Sequence, residues 1–198
     1  MADYTYDNVK VEIDDGIAWT YLNRPEKRNA MSPALHYDMD EVVDRLECDD
    51  DVKLVVLSGA GDKSWCAGQD LKLFFRELDD KPHERRRVSL ANERWRRLRL
   101  FTYNKPTIAM VNGYCFGGAF TQLVSCDFAL AADDAIFGLS EINWGILPGG
   151  IVSKVVVDTM SYRDALWYAC TGETFDGKKA AEIKLINKSV PAADLRAE

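Results

Sequence analysis

Histidine is scarce in this chain of 198 residues, which contains His36 and His83 and no others. His36 falls within a helical pattern, and His83 follows a proline in a charged stretch, so neither has the convergent partners of a catalytic histidine. We expect both to be structural or surface residues. An enzyme of the Ser-His-Asp or Cys-His type would have to use one of these poorly placed side chains.

The cysteines are odd in number, and no two of them are spaced as a CxxC pair. Disulfide frameworks and zinc sites both depend on regularly spaced cysteines. We therefore expect free thiols in a reducing compartment and no bound metal. The five residues concerned are Cys48, Cys66, Cys115, Cys126 and Cys170.

Long apolar runs are absent, because no segment approaches the roughly 18 residues of a membrane span. The first five residues, MADYT, have neither the basic nor the apolar region of a signal peptide. Basic residues are outnumbered, with 25 Lys and Arg against 32 Asp and Glu, which argues against a nucleic-acid surface. We expect a cytoplasmic protein that binds neither nucleic acid nor a membrane.

The chain does have the material for a core, since 47% of its residues are hydrophobic. Its length suits one domain spanning residues 1–198. A domain of this size buries roughly 70% of its unfolded-chain surface without a disulfide or metal.

Hydrophobic periodicity predicts an alternation of strands and helices along the chain. An Asp-Asp-Gly turn within residues 9–22 predicts a hairpin, and Ser32 followed by Pro33 predicts the start of a helix. An initial hairpin followed by alternating elements favours an α/β fold. Further strands are predicted at residues 53–58, 107–111, 127–132 and 186–190, and helices at 70–78, 82–101, 119–125, 152–160, 163–170 and 177–183.

An arginine-rich segment carries seven arginines between Arg85 and Arg99. One interpretation is a solvated helix face with Trp95 and Leu98 turned inward. The other is a phosphate-binding surface. The sequence favours the solvated face without excluding the second interpretation.

Two glycine-containing turns lead into predicted helices, CAGQDL at residues 66–71 and FGGA at residues 116–119. Helix starts present unpaired backbone N–H groups. One such turn can hold a phosphate, and two that converge can hold a developing oxyanion. The alternative is that these glycines only make tight turns. Neither turn has the Walker A or GxGxxG pattern.

Glu141 stands between apolar residues in FGLSEINWG, at residues 137–145. Burial of its carboxylate would raise the pKa toward the range useful for acid–base catalysis. The alternative is a surface glutamate in a loop. By contrast, Asp70 and Asp127 are expected to cap or pair locally.

Three motifs in this order resemble the crotonase (enoyl-CoA hydratase/isomerase) superfamily over residues 8–190. They are LNRP with NA at residues 22–30, AGQDL at 67–71 and NGYCFGGA at 112–119, followed by CD at 126–127 and FGLSE at 137–141. Within that superfamily the chain is most similar to the hydroxycinnamoyl-CoA hydratase-lyases. The supporting strings are RPEKRNAMSP at 24–33, KPTIAMVNG at 105–113 and GLSEINWGI at 138–146.

The resemblance implies a crotonase-like ββα superhelix, an α/β spiral that assembles as a homotrimer or hexamer. Family members continue beyond the position that matches Glu198, with helices that complete the pocket and the trimer. We therefore expect a core that is truncated at its C-terminus and lacks the usual C-terminal helical region.

The resemblance also implies the reacting groups. The thioester carbonyl would lie between the backbone N–H groups of Gln69 and Gly118, which form an oxyanion hole. Glu141 would be the catalytic carboxylate. Coenzyme A would enter as part of an acyl-CoA thioester substrate, with no separate cofactor and no metal.

Five further residues acquire binding roles from the same resemblance. Lys27 would lie near the nucleotide phosphates of coenzyme A. Ala67 and Leu71 would line the path of the pantetheine and the acyl thioester. Ser140 and Trp144 would border the acyl pocket.

Three positions depart from common family patterns. Thr121 replaces the first of two glutamates found in many hydratases, which leaves Glu141 alone and favours a hydratase-lyase. Phe74 replaces a tyrosine that touches the phenol of the substrate, so the hydroxyl hydrogen bond is lost. Gln69 replaces a methionine, but only its backbone is needed.

The implied reaction is hydration of a hydroxycinnamoyl-CoA such as feruloyl-CoA, followed by retro-aldol cleavage to an aromatic aldehyde such as vanillin and acetyl-CoA. One alternative is a generic enoyl-CoA hydratase or isomerase that uses Glu141 alone. Another is a non-catalytic CoA-binding or assembly subunit.

Overall fold

The N-terminal hairpin forms as predicted in the computed structural model, which describes residues 4–149 and 152–198. Strand β1 (Val9–Asp14) runs antiparallel to strand β2 (Ile17–Leu22). Asp15 and Gly16 connect them with φ values of 46° and 80°. Two successive positive φ values match the right-handed twist of the strands, which explains why Asp-Gly occupies the turn.

Helix α1 (Pro33–Glu47) also begins where the sequence predicts. The Ser32 hydroxyl accepts a hydrogen bond from the Leu35 N–H, and Pro33 occupies the first turn, where its missing N–H costs nothing. The apolar face of α1 packs into the core through the buried side chains of Leu35, Met39, Val42, Val43 and Leu46.

The remaining strands build two sheets. They are β3 (Leu54–Gly59), β4 (Ser64–Cys66), β5 (Thr107–Val111), β6 (Tyr114–Phe116), β7 (Phe128–Ala132), β8 (Ile136–Gly138), β9 (Thr174–Asp176) and β10 (Lys188–Val190). The larger sheet has the order β1-β2-β3-β5-β7-β10 and the smaller one β4-β6-β8-β9. Apart from the antiparallel pairs β1–β2 and β8–β9, the pairings are parallel.

The chain repeats one path through these sheets. It runs from a strand of the larger sheet (β3, β5 or β7) to one of the smaller sheet (β4, β6 or β8) and then into a helical segment. After β6 that segment is helix α3 (Ala119–Ser125). The repeat is the predicted ββα superhelix. The short strands of the smaller sheet were not predicted, because three residues give no measurable alternation.

The arginine-rich segment is helical, as helix α2 (Pro82–Glu93) followed by a π-helical turn at Arg94–Arg99. The prediction that Leu98 turns inward is wrong, because its side chain is 52% exposed, whereas Trp95 is buried as predicted. The Leu100 N–H bonds to the Trp95 carbonyl, five residues back, and this wider turn carries Leu98 away from the core. Arg96 is buried instead, with 8% of its surface exposed.

The C-terminal part adds three helices to the described chain. These are α4 (Val152–Thr159), α5 (Tyr162–Thr171) and α6 (Gly177–Glu182). Ser161 and Asp176 cap α5 and α6 through side-chain oxygens that accept backbone N–H bonds. Within the described residues, no helix combines the length and the apolar character that a membrane crossing requires.

Candidate active site

The site residues meet because β4, β6 and β8 are adjacent and parallel. Cys115 in β6 pairs with Cys66 on one side and with Phe137 on the other. The carboxyl ends of these strands therefore lie at the same edge of the sheet. The loops that follow them carry Gln69, Gly118 and Glu141.

The backbone N–H of Gln69 is left free by the way its loop is held. The Met31 N–H donates to the Gly68 carbonyl at 2.8 Å, and the Asp70 N–H donates to the Met31 carbonyl at 2.9 Å. This parallel bridge uses the groups on either side of Gln69. Among the described residues, the Gln69 N–H has no acceptor.

A second free N–H lies close to the first. Gly117 N–H donates to the Gly138 carbonyl at 2.9 Å, whereas the N–H of Gly118 has no acceptor in the described part of the chain. A Cβ added at Gly118 would lie 3.9 Å from the Gln69 nitrogen. The two backbone donors therefore lie close together, and two donors that converge can hold an oxyanion.

Glycine is needed where these loops cross. Gly68 has a φ of +89°, and a Cβ there would lie 2.7 Å from the Phe116 carbonyl oxygen. Gly117 has a φ of +53°. Larger residues would strain both backbones and push the two loops apart. The glycines thus allow tight turns and also let the two loops approach each other closely.

The Gln69 side chain is turned into a buried network. The Trp95 Nε1–H donates to His36 Nδ1 at 3.1 Å, and because an indole only donates, that ring nitrogen accepts. His36 Nε2 then carries the proton and donates to Gln69 Oε1 at 3.1 Å. Gln69 Nε2 also lies 2.9 Å from His36 Nε2, but two donors form no hydrogen bond, so the bond runs to Oε1. Burial and the nearby Arg96 keep the pKa of His36 well below its usual value, so the ring is neutral.

Glu141 lies on a 3₁₀ turn, Ser140–Trp144, directly after β8. Its side chain is buried, with 7% of the residue exposed, and its Oε2 atom has no hydrogen-bond partner among the described residues. Burial raises the pKa of this carboxyl, as the flanking apolar residues predict. A Cβ at Gly117 would lie 3.4 Å from Glu141 Oε1, so the carboxyl group adjoins the second glycine turn.

The other two acidic residues considered in the sequence have local partners, as predicted. Asp70 pairs with Arg24 at 3.1 Å and caps the following turn by accepting from the Leu73 N–H. Asp127 accepts from both the N–H and the hydroxyl of Thr107 at 2.8 Å. Neither carboxylate lines the cavity described next.

A cavity of about 750 Å³ opens over these groups. Two smaller cavities in the described structure, of about 380 and 350 Å³, contain none of the predicted site residues. Nine predicted residues line the large cavity: Ala67, Gln69, Leu71, Phe74, Gly118, Thr121, Ser140, Glu141 and Trp144. Lys27 is exposed and does not line it, whereas its neighbour Arg28 does.

The polar lining residues that sequence reasoning missed include Asn92 and Arg96. They lie four residues apart on the arginine-rich helix. Asn92 Oδ1 and Arg96 Nε are buried without hydrogen-bond partners among the described residues. The sequence of this segment does not indicate which of its seven arginines points inward, because the π-helical turn sets the direction of each side chain.

Comparison with known proteins agrees with this architecture. The family described as "Enoyl-CoA hydratase/isomerase" matches residues 12–198. The chain belongs to that family. The structures of an enoyl-CoA hydratase from Bacillus anthracis and one from Mycobacterium tuberculosis superpose with TM-scores of 0.88 and 0.81, at 26% and 28% identity. Each comparison covers 96% of this chain, with 73% and 71% of the other chain, and it confirms the predicted crotonase fold.

A curated member of the enoyl-CoA hydratase/isomerase family is more similar in sequence. The "Hydroxycinnamoyl-CoA hydratase-lyase" of Pseudomonas fluorescens is 56% identical over 191 residues. The match covers 95% of this chain and 68% of that protein. This level of identity confirms the subfamily that the sequence motifs indicate.

Proposed function

We propose that the protein hydrates a hydroxycinnamoyl-CoA such as feruloyl-CoA and then cleaves the product to an aromatic aldehyde, such as vanillin, and acetyl-CoA. The observation that carries the proposal is the juxtaposition of two backbone N–H groups with one buried carboxyl group; within the described residues, the two N–H groups and the Glu141 Oε2 atom have no hydrogen-bond partner. The 56% identity to a hydroxycinnamoyl-CoA hydratase-lyase supports the choice of substrate.

In the hydration step, ionised Glu141 takes a proton from water as the water oxygen bonds to the β-carbon. Electrons of the double bond move onto the thioester oxygen, which the N–H groups of Gln69 and Gly118 stabilise as an enolate. Protonated Glu141 then returns a proton to the α-carbon. The product is the β-hydroxyacyl thioester, and Glu141 is ionised again.

In the cleavage step, Glu141 removes the proton of the new β-hydroxyl group. The bond between the α- and β-carbons breaks, and the aldehyde forms as the electron pair moves onto the thioester as an enolate. The same two N–H groups stabilise that enolate, and Glu141 protonates its α-carbon to give acetyl-CoA. One carboxyl group suffices because each step returns it to its starting state.

The lining of the cavity suits a bulky aromatic acyl group. Besides Phe74 and Trp144, the apolar side chains Leu71, Phe75 and Phe116 face it. Among the described lining residues, Glu141 is the only carboxylate, and Thr121 occupies the position of the second glutamate in many hydratases. Both features favour the single-carboxylate lyase over a two-glutamate hydratase.

The remaining roles are proposed on the same basis. Ala67 and Leu71 would guide the pantetheine arm, and Ser140 would border the acyl group. Lys27 and the adjacent Arg28 would bind the phosphates of coenzyme A, since both carry positive charge near the cavity. Assembly as a homotrimer or hexamer in the cytoplasm, without a separate cofactor, completes the proposal.

The pH dependence of the reaction should report the environment of Glu141. Because burial raises its pKa above the ordinary 4.5, the ionised base forms only at higher pH. We expect the acidic limb of the kcat/KM profile for feruloyl-CoA to have its midpoint above 4.5. A midpoint at or below that value would contradict the assignment of Glu141 as the base.

The direct test mixes the purified protein with feruloyl-CoA and separates the products by chromatography, with crotonyl-CoA in parallel. Release of vanillin and acetyl-CoA in equal amounts is the expected result. Hydration of crotonyl-CoA without aldehyde release from feruloyl-CoA would instead identify a generic hydratase. Binding of both thioesters without turnover would identify a CoA-binding subunit.

A further inference from the structure

Arg96 is a buried cation in the wall of the active-site cavity. Its Nη1 atom donates to the Gly118 carbonyl at 2.7 Å and lies 3.7 Å from Met31 Sδ. Both partners are neutral, as is the neighbouring Gln122 amide. In the described structure, Arg96 forms no ion pair with a carboxylate.

Nearby titratable groups do not supply the missing negative charge. His36 is neutral, and burial raises the pKa of the Cys66 thiol to about 11. Burial lowers the pKa of Arg96 itself to about 10, so the guanidinium still carries its charge at neutral pH. A buried charge without a counterion lowers the stability of the folded state. A purely structural Arg96 would therefore destabilise the protein without a compensating gain.

Arg96 lies beside the two backbone N–H groups at which the proposed reaction develops negative charge. A Cβ added at Gly118 would lie 3.6 Å from Arg96 Nη1 and 3.9 Å from the Gln69 nitrogen. The guanidinium is therefore next to the pair of free N–H groups. Negative charge develops at that pair only when the thioester becomes an enolate.

We propose that Arg96 supplies the positive charge that opposes the enolate oxygen formed at Gln69 and Gly118. The proposal rests on the proposed function, because both of its steps pass through this enolate. A fixed charge in a site shielded from water interacts strongly with an ion that forms beside it. Its hydrogen bond to Gly118 also holds the loop that presents the second N–H group.

Acetoacetyl-CoA provides a probe that is independent of turnover. Its enolate absorbs in the near ultraviolet and its keto form does not, so titration of the bound ligand measures how strongly the site favours the enolate. For the wild-type protein we expect the bound ligand to ionise at a lower pH than free acetoacetyl-CoA. In Arg96→Met the apparent pKa of the bound ligand should rise by about one unit or more, a tenfold change in the enolate equilibrium.

Two more variants separate charge from packing. Arg96→Lys keeps a positive charge and should restore part of the shift. Arg97→Met is the matched control, because Arg97 is exposed and pairs with Glu93 on the surface. In this variant the apparent pKa of bound acetoacetyl-CoA should equal that in the wild type. We also expect Arg96→Met to lower kcat for feruloyl-CoA by about 10²-fold with a smaller change in KM.

The outcomes of the titration decide the proposal. It is overturned if the wild-type protein does not lower the apparent pKa of acetoacetyl-CoA. It is also overturned if folded Arg96→Met ionises the bound ligand at the same pH as the wild type, or if folded Arg96→Lys, which keeps the charge, restores none of the shift. If feruloyl-CoA is not cleaved but the titration still separates the wild type from Arg96→Met, the proposed function fails while the role of Arg96 stands.

Discussion

Replacement of Glu141 by glutamine should lower turnover of feruloyl-CoA by about 10³-fold or more, with little change in thioester binding. The amide has nearly the shape of the carboxyl group but cannot take a proton from water or from the β-hydroxyl. Both chemical steps need that transfer, so hydration and cleavage should fall together. Steady-state kinetics and equilibrium binding of a CoA thioester measure the two effects separately.

The stability of Glu141→Gln provides a check on this interpretation. Because Glu141 is buried and its Oε2 lacks a partner in the described structure, a neutral amide should not destabilise the fold at neutral pH. Glu173→Gln is a suitable control, since Glu173 is an exposed acceptor for the Trp167 indole. Turnover of Glu141→Gln close to that of Glu173→Gln would remove Glu141 from the mechanism.

Gly118→Pro should have the second largest effect, a loss of about 10²–10³-fold in kcat. Proline lacks the backbone N–H, so one of the two proposed oxyanion donors disappears. The φ of −54° at Gly118 is compatible with a proline ring. The measurement is kcat for aldehyde release, together with the acetoacetyl-CoA titration, in which the enolate should become less favourable.

Gly118→Ala controls for the added bulk. It keeps the N–H, and its new carbon would lie 3.6 Å from Arg96 Nη1 and 3.7 Å from Met31 Cε, which are ordinary contact distances. Alanine should therefore retain more turnover than proline. Equal losses in the two variants would show that space at Gly118, rather than its N–H, limits the reaction.

Local signals in the sequence were sufficient for the parts of the fold that depend on neighbouring residues. The Asp15-Gly16 turn and the Ser32-Pro33 cap each act within one turn of chain, and both appear where predicted. The raised pKa of Glu141 follows in the same way from its apolar flanks. The convergence of Gln69 with Gly118 was different, because it came from the family resemblance and depends on strand order.

Arg96 shows why the sequence alone did not predict every residue of the site. Regular helical periodicity places Trp95 and Leu98 on one face, and the π-helical turn replaces that face with Trp95 and Arg96. This turn packs against α1 and α3, and a single sequence does not reveal such long-range contacts. Arg28 also lines the cavity, whereas the family resemblance named its neighbour Lys27 for the phosphates of coenzyme A.

The register of the smaller sheet links the integrity of the site to thiol chemistry. Cys66 and Cys115 are paired neighbours in β4 and β6, both fully buried, immediately before the two loops that carry the free N–H groups. Burial raises the pKa of both thiols, so neither is a ready nucleophile in the closed sheet. We therefore expect alkylation of either residue to require separation of the strands. Its rate would then measure how often the strands open, and each opening would also disrupt the proposed oxyanion hole.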